Sequence, residues 1–270
     1  MVVRAGVAPD MARLLENKTA IVYGAGGSLG GGVSRTFARE GATVHLVGRT
    51  QATLDAVAAD IRDAGGTAEV AVVDALDEAA VTAHADAVAA SGGIDVSFNL
   101  ILRGDVQGRP LIDMDVDDLA RPVENGLRTN FVTARAAARH MVGTGGGVIL
   151  HLNSGSARGQ APMMGGTGSA DAATEALMRN LAMELGPQGV RVLGIWTAGV
   201  ADSLTREKLA AVGGEDVPDP EVVARMIGEG AMLKRAPRIQ QVAEVAAFLA
   251  SDRSDGMTAA IANVTCGLVG

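Results

Sequence analysis

Short apolar runs at residues 19–23, 43–47, 68–73, 94–99, 148–152, 190–196 and 260–264 recur along the chain, most of them separated by Ala-rich stretches with helical spacing. Runs that are apolar throughout, rather than alternating with polar residues, suit strands covered on both faces, and connections of this length cannot be hairpins. The pattern predicts an α/β fold: a doubly wound parallel sheet of about seven strands in three α/β/α layers, with right-handed crossovers. Helices are expected after the glycines of residues 24–30, where Val33, Phe37 and Ala38 recur at helical spacing, and at about 50–64, 78–90, 123–141, 169–185 and 242–249. Residues 103–121 are polar and Asp-rich and interrupt the pattern, while 201–238 carry Pro218, Pro220 and Pro237 and are expected to form a mobile two-helix excursion over the active face. With 1–15 as an N-terminal extension and no linker-like shift in composition, the whole of 1–270 is expected to be one domain.

Composition narrows the function classes. Lys plus Arg is 23 and Asp plus Glu is 31, a net charge of −8 with no basic stripe, so nucleic acid is not an expected partner. No apolar stretch is long enough to span a bilayer and the N-terminus lacks signal-peptide order, which leaves a cytoplasmic protein with no membrane partner as the expectation. The lone Cys266 has no disulfide mate, and the 4 histidines lack zinc-ligand spacing, so no metal is expected.

The first strand runs into Gly24-Ala-Gly-Gly-Ser-Leu-Gly30 and then a helix, the Rossmann-type junction at which backbone N–H groups and the positive helix end receive a pyrophosphate. Gly24, Gly27, Ser28, Leu29 and Gly30 are the candidate cofactor-binding residues, against the alternative of a merely tight structural turn. The second strand ends Val47-Gly48-Arg49, where a free ribose 2′-hydroxyl wants a carboxylate and a 2′-phosphate wants an arginine; Arg49 favours NADP over NAD, its bland reading being a solvated helix-start residue. Asp74 ends the third strand, either to accept from an adenine amino group or as an ordinary capping or turn residue.

Taken in order, the Gly24 to Gly30 loop, Asp74, Asn99, Asn130, Ser154, the passage from Glu184 to Val192 and Ser251-Asp252 resemble the short-chain dehydrogenase/reductase family over about residues 15–267. The resemblance implies binding of a nicotinamide cofactor, with Asn99 at its site, and a catalytic Asn, Ser, Tyr and Lys. Asn130 matches the Asn and Ser154 the Ser, but the Tyr position falls on Thr167 and the Lys position on Asp171. No shifted alignment restores the pair: the one tyrosine, Tyr23, precedes the glycine loop, and the lysines are Lys18, Lys208 and Lys234. Threonine is too weak an acid for a phenol's role. Asp171 can serve as acid or base if burial raises its pKa, or lie solvent-facing in a first turn; His151 is the nearest imidazole, although strand alternation can bury it on the wrong face.

Further departures, Asn99-Leu-Ile-Leu102, Thr197-Ala198 and Thr265-Cys-Gly267, mark a divergent branch. The functions open to it are an NAD(P)(H)-dependent oxidoreductase of a small carbonyl or alcohol with atypical or reduced catalysis, a non-redox cofactor- or ligand-binding protein, and a lyase, cyclase or isomerase. NADP is the expected cofactor, NAD the lesser alternative, and no bound cofactor a third. The Ala-rich helices containing Ala134, Ala136 to Ala138, Ala172, Ala173 and Ala176 correspond to the family's subunit interface, which implies a homodimer or homotetramer acting on a small molecule.

Overall fold

The computed structural model describes residues 13–158 and 161–268. Strand β1 (Thr19–Tyr23) leads through the glycine loop into α1 (Ser28–Arg39), and β2 (Thr43–Gly48), α2 (Gln51–Asp63), β3 (Thr67–Val72) and α3 (Glu78–Gly92) complete the first half. The second half comprises β4 (Val96–Asn99), α4 (Val116–Thr144), β5 (Gly147–Ser154), α5 (Thr167–Leu185), β6 (Val190–Thr197), α6 (Arg206–Gly213), α7 (Pro220–Gly230), α8 (Ile239–Ala250) and β7 (Ile261–Val264). All pairings are parallel and the sheet order is β3-β2-β1-β4-β5-β6-β7. The doubly wound reading therefore holds, and the order reverses between β1 and β4, where ligands of such sheets bind beyond the carboxyl ends of the strands.

Helices cover both faces because both faces of each central strand are apolar. Ala20, Val22, Val44 and Leu46 pack with Val33, Phe37 and Leu54 from α1 and α2 and with Val242 and Ala246 from α8. On the opposite face Ile21, Tyr23 and Ile149 meet Val81 and Ala85 of α3, Ala134 and Ala137 of α4 and Met178 of α5. Each fully buried large aliphatic or aromatic side chain contributes about 1.5–3 kcal/mol of transfer free energy.

Several expected boundaries move. Residues 1–12 of the expected N-terminal extension lie outside the described residues, and Leu15, counted in that extension, is fully buried in the core with its N–H donating to Glu40 O. Helix α4 begins at Val116, running through Pro122 instead of starting after it. Asp117 and Asp118 complement the positive end of its first turn, and Leu119 and Pro122 rest against Gly166, where a Cβ would come within 2.2 Å of Leu119 O. Strand β5 extends to Ser154, which pairs with Thr197 instead of opening a loop. The 201–238 region does hold two helices, α6 and α7.

Candidate active site

The glycine loop crosses the switch point. Gly24 has φ +79°, a Cβ on it would lie 2.7 Å from Leu100 O at the end of β4, and one on Gly30 would lie 2.1 Å from Gly24 O. The backbone can therefore be approached closely there and by nothing bulkier than glycine. Helix α1 begins on Gly27 with no side-chain cap and no acid in its first turn, in contrast to α3, α6 and α7, capped by Asp77, Thr205 and Asp219. Uncapped N–H groups at a positive helix end suit a diphosphate. Leu29 is partly buried against the core, so its backbone and not its side chain is what the loop offers a ligand.

Ser28 points its hydroxyl at Lys208 of α6, whose Nζ lies 2.6 Å from Ser28 Oγ. Arg49 is exposed at the end of β2. Asp74 is exposed too, and its Oδ1 accepts from Leu76 N at 3.0 Å, which makes it a turn residue with one oxygen in use. Asn99 faces inward: Oδ1 accepts from Ile101 N at 3.0 Å and Nδ2 donates to Thr133 Oγ1 at 3.4 Å. Its side chain shapes the end of β4, so the expected role at the cofactor reduces to backbone placement.

Asn130 is likewise engaged, with Nδ2 donating to Gly126 O at 2.8 Å and Oδ1 2.7 Å from His151 Nδ1. The amide oxygen can only accept, so Nδ1 of His151 carries the proton, and Nε2 is buried without a partner among the described residues. Burial holds the imidazole down at about 4. His151 is thus a neutral core residue behind the site, as strand alternation allows.

Around Thr167 and Asp171 the chain builds a network. Asp171 is fully buried, not solvent-facing, on the same face of α5 as Ala170 and Thr174. Its Oδ1 accepts from Arg103 Nη1 at 2.7 Å, and its Oδ2 from Ser154 Oγ at 2.5 Å and Ser154 N at 3.1 Å. Arg103 also binds Asp105 at 3.1 Å, and Thr167 Oγ1 donates to Asp105 Oδ1 at 2.8 Å while accepting from Gln107 Nε2 at 3.0 Å. Gly126 of α4 makes room for the arginine, since a Cβ there would lie 2.7 Å from Arg103 Cδ.

Burial pushes the Asp171 carboxyl above its ordinary range, against the lowering by Arg103 and by the bonds from Ser154. For Arg103, burial acts downward, but Asp105 and Asp171 outweigh it and raise the guanidinium. Sequence reasoning missed Arg103, Asp105, Gln107 and Ser156, whose hydroxyl sits 2.9 Å from Ser154 Oγ. The available signal was an acid inside the buried stripe of an Ala-rich helix, which requires a cation from elsewhere. Tyr23 is fully buried with its hydroxyl unpartnered among the described residues, and burial raises that phenol further, so it is no substitute for the missing tyrosine.

Of the alanines expected at the subunit interface, Ala134, Ala136, Ala137 and Ala138 are buried within the chain, because their small side chains let the sheet and neighbouring helices approach α4, whereas Ala172 and Ala176 of α5 are exposed and Ala173 is half-buried. The large exposed apolar side chains on these helices include Leu127, Phe131 and Met183.

A family profile described as Enoyl-(Acyl carrier protein) reductase matches residues 24–269. The chain is 30% identical over 255 residues to the 7alpha-hydroxysteroid dehydrogenase of Escherichia coli (strain K12), covering 94% of each. It is 29% identical over 254 residues to the (+)-cis,cis-nepetalactol synthase NEPS3 of Nepeta racemosa, covering 92% of this chain and 90% of that one. The structure of a 7alpha-hydroxysteroid dehydrogenase complexed with NADH and 7-oxo glycochenodeoxycholic acid superposes with a TM-score of 0.82 at 28% identity, covering 96% of both chains.

Proposed function

Because the chain belongs to the short-chain dehydrogenase/reductase family of oxidoreductases, we propose that it interconverts a small alcohol and carbonyl with NADP(H), using Ser154 and Asp171 to move the proton. The observation that carries this reading is the 2.5 Å bond from Ser154 Oγ to a fully buried carboxylate at the carboxyl end of β5. A bound nicotinamide cofactor would supply the hydride chemistry, leaving the proton to the residues of this chain. On oxidation, the substrate hydroxyl gives its proton to Ser154 Oγ as the serine proton passes to Asp171 Oδ2. Reduction reverses both transfers. The raised carboxyl of Asp171 makes it a stronger base than an ordinary aspartate, and Arg103 steadies the charge it carries.

The residues fit the phosphate half of the cofactor. Gly24, Gly27, Ser28 and Gly30 would form the cradle for the diphosphate, and Arg49 makes no ion pair among the described residues that a 2′-phosphate would have to displace. A solved relative carries NADH, and Arg49 is what supports NADP here. The nicotinamide half lacks the Lys that the resemblance places on the ribose and the Tyr to which it gives the proton transfer, and Thr167 and Asp171 at those positions already bond within the protein. The exposed Leu127, Phe131 and Met183 support a homodimer or homotetramer through α4 and α5. No helix among the described residues is long and apolar enough to cross a membrane.

Following NADPH absorbance with a panel of ketones and secondary alcohols tests the proposal. Ser154→Ala and Asp171→Asn should each lower kcat by about a hundredfold or more while NADPH affinity holds. Unchanged rates in both variants would overturn the relay. The second reading, a cyclase or isomerase, is favoured by a synthase among the relatives and by the loss of the Tyr-Lys pair. Product formation without any change in NADPH absorbance selects it.

A further inference from the structure

Lys208 occupies a position that its own surroundings leave electrostatically incomplete. Its Nζ donates to Ser28 Oγ at 2.6 Å and to Ser203 O at 3.1 Å, both neutral acceptors. Although the chain carries a net charge of −8, no carboxylate pairs with this ammonium among the described residues. The ammonium also stands against the positive end of α1, where an acid or a capping oxygen is the usual companion and a cation is repelled. Burial presses its pKa down, with Glu207 opposing, so holding the charge here is a cost that an anion would relieve.

We propose that Lys208 is a ligand of the cofactor diphosphate, carried to the glycine loop by the excursion of residues 201–238; the proposal rests on the cofactor reading above. The ammonium and the Ser28 hydroxyl would then hold the diphosphate together with the uncapped N–H groups of α1. One turn further along α6, Val212 O accepts from Gln107 N at 2.9 Å, and Gln107 Nε2 donates to Thr167. The same short helix thereby touches the phosphate loop at one end and, through Gln107, Thr167 at the other. Diphosphate binding at Lys208 would then bear on α6 and, through Gln107, on Thr167.

Isothermal titration of the full chain with NADPH, NADH and ADP provides the test, with circular dichroism confirming the fold of each variant. Lys208→Met should weaken all three by a similar factor, about tenfold or more, because each carries a diphosphate, and Lys208→Arg should keep most of the affinity. Rising salt should weaken the wild type more steeply than Lys208→Met. Arg49→Ala is the contrast: it should weaken NADPH by about tenfold to a hundredfold and leave NADH and ADP alone. Should Lys208→Met bind all three as tightly as wild type, or lose NADPH alone, the assignment to the diphosphate is overturned while the cofactor reading stands. If the wild type binds none of the three, the cofactor reading fails and takes this proposal with it.

Discussion

At the β1–α1 end of the cleft Arg49 reaches into solvent and the first N–H groups of α1 meet no side-chain cap, whereas at the β5–α5 end Asn99, Asn130, Ser154, Thr167 and Asp171 all bond within the protein. A ligand meeting Arg49 and the uncapped α1 N–H groups breaks no side-chain bond to them, and the bond it meets beside them is the one from Lys208 to Ser28. A ligand entering the closed network must exchange bonds, each with a net worth of about 1 kcal/mol, so nothing is gained unless its own polar groups match. Affinity therefore resides at the phosphate end and discrimination at the other.

The largest effect should come from opening the closed end. Arg103→Met leaves Asp105 and Asp171 without their cation and should cost about 3–5 kcal/mol in urea unfolding at unchanged denaturant dependence. The equivalent cut at the open end, Arg49→Met, should move stability by less than about 0.5 kcal/mol. Equal losses from the two variants would erase the contrast between the two regions.

A pH titration sharpens it next. Burial holds His151 at about 4, below its ordinary 6.5, so the unfolded chain binds the proton more readily than the folded one. Stability is then complete above the ordinary imidazole range and falls as pH drops from there toward about 4, with a ceiling of ~3 kcal/mol from this residue. His151→Gln should flatten that slope without removing it, because burial lowers His84 to about 4 as well. A profile identical to wild type would place the acid sensitivity elsewhere.

The smallest effect should be Thr167→Ala. Its hydroxyl only links Asp105 to Gln107, so the rate of NADPH oxidation by stopped flow should change by less than about tenfold, equivalent to ~1.4 kcal/mol of barrier. A loss above about a hundredfold, with fold and cofactor affinity intact, would show that the closed end holds a reacting group at Thr167.

The sheet was legible because each strand is a short apolar run between helical segments: β1 spans the expected residues, and the other strands depart from expectation by two residues or fewer at either end. The start of α4 was not, because proline normally ends a helix, and the fit of Leu119 and Pro122 onto Gly166 that accompanies the continuous helix joins distant segments. The loss of the Tyr-Lys pair could be read by counting residues. What replaced it could not, since Arg103 and Asp171 stand 68 positions apart and meet because β4 and β5 are neighbours in the sheet. Ser154, Thr167 and Asp171 do come together as the motif positions implied, while Asn99 and Asn130 lie behind them, bonded inward.

The charge arrangement around Arg103 also fixes the order in which this site can change. Asp171→Lys alone would set an ammonium against the guanidinium, with Asp105 the one carboxylate left to both. Removing Arg103 first strands two acids, and Thr167→Tyr alone drives a phenol into the space of Asp105 and Gln107. Every single step toward a Tyr-Lys pair is expected to cost stability, so positions 103, 167 and 171 should behave as one heritable unit separated from the usual site by a fitness valley. A directed-evolution library meant to cross it must vary the three together, because one-at-a-time selection discards each intermediate before its partner arrives.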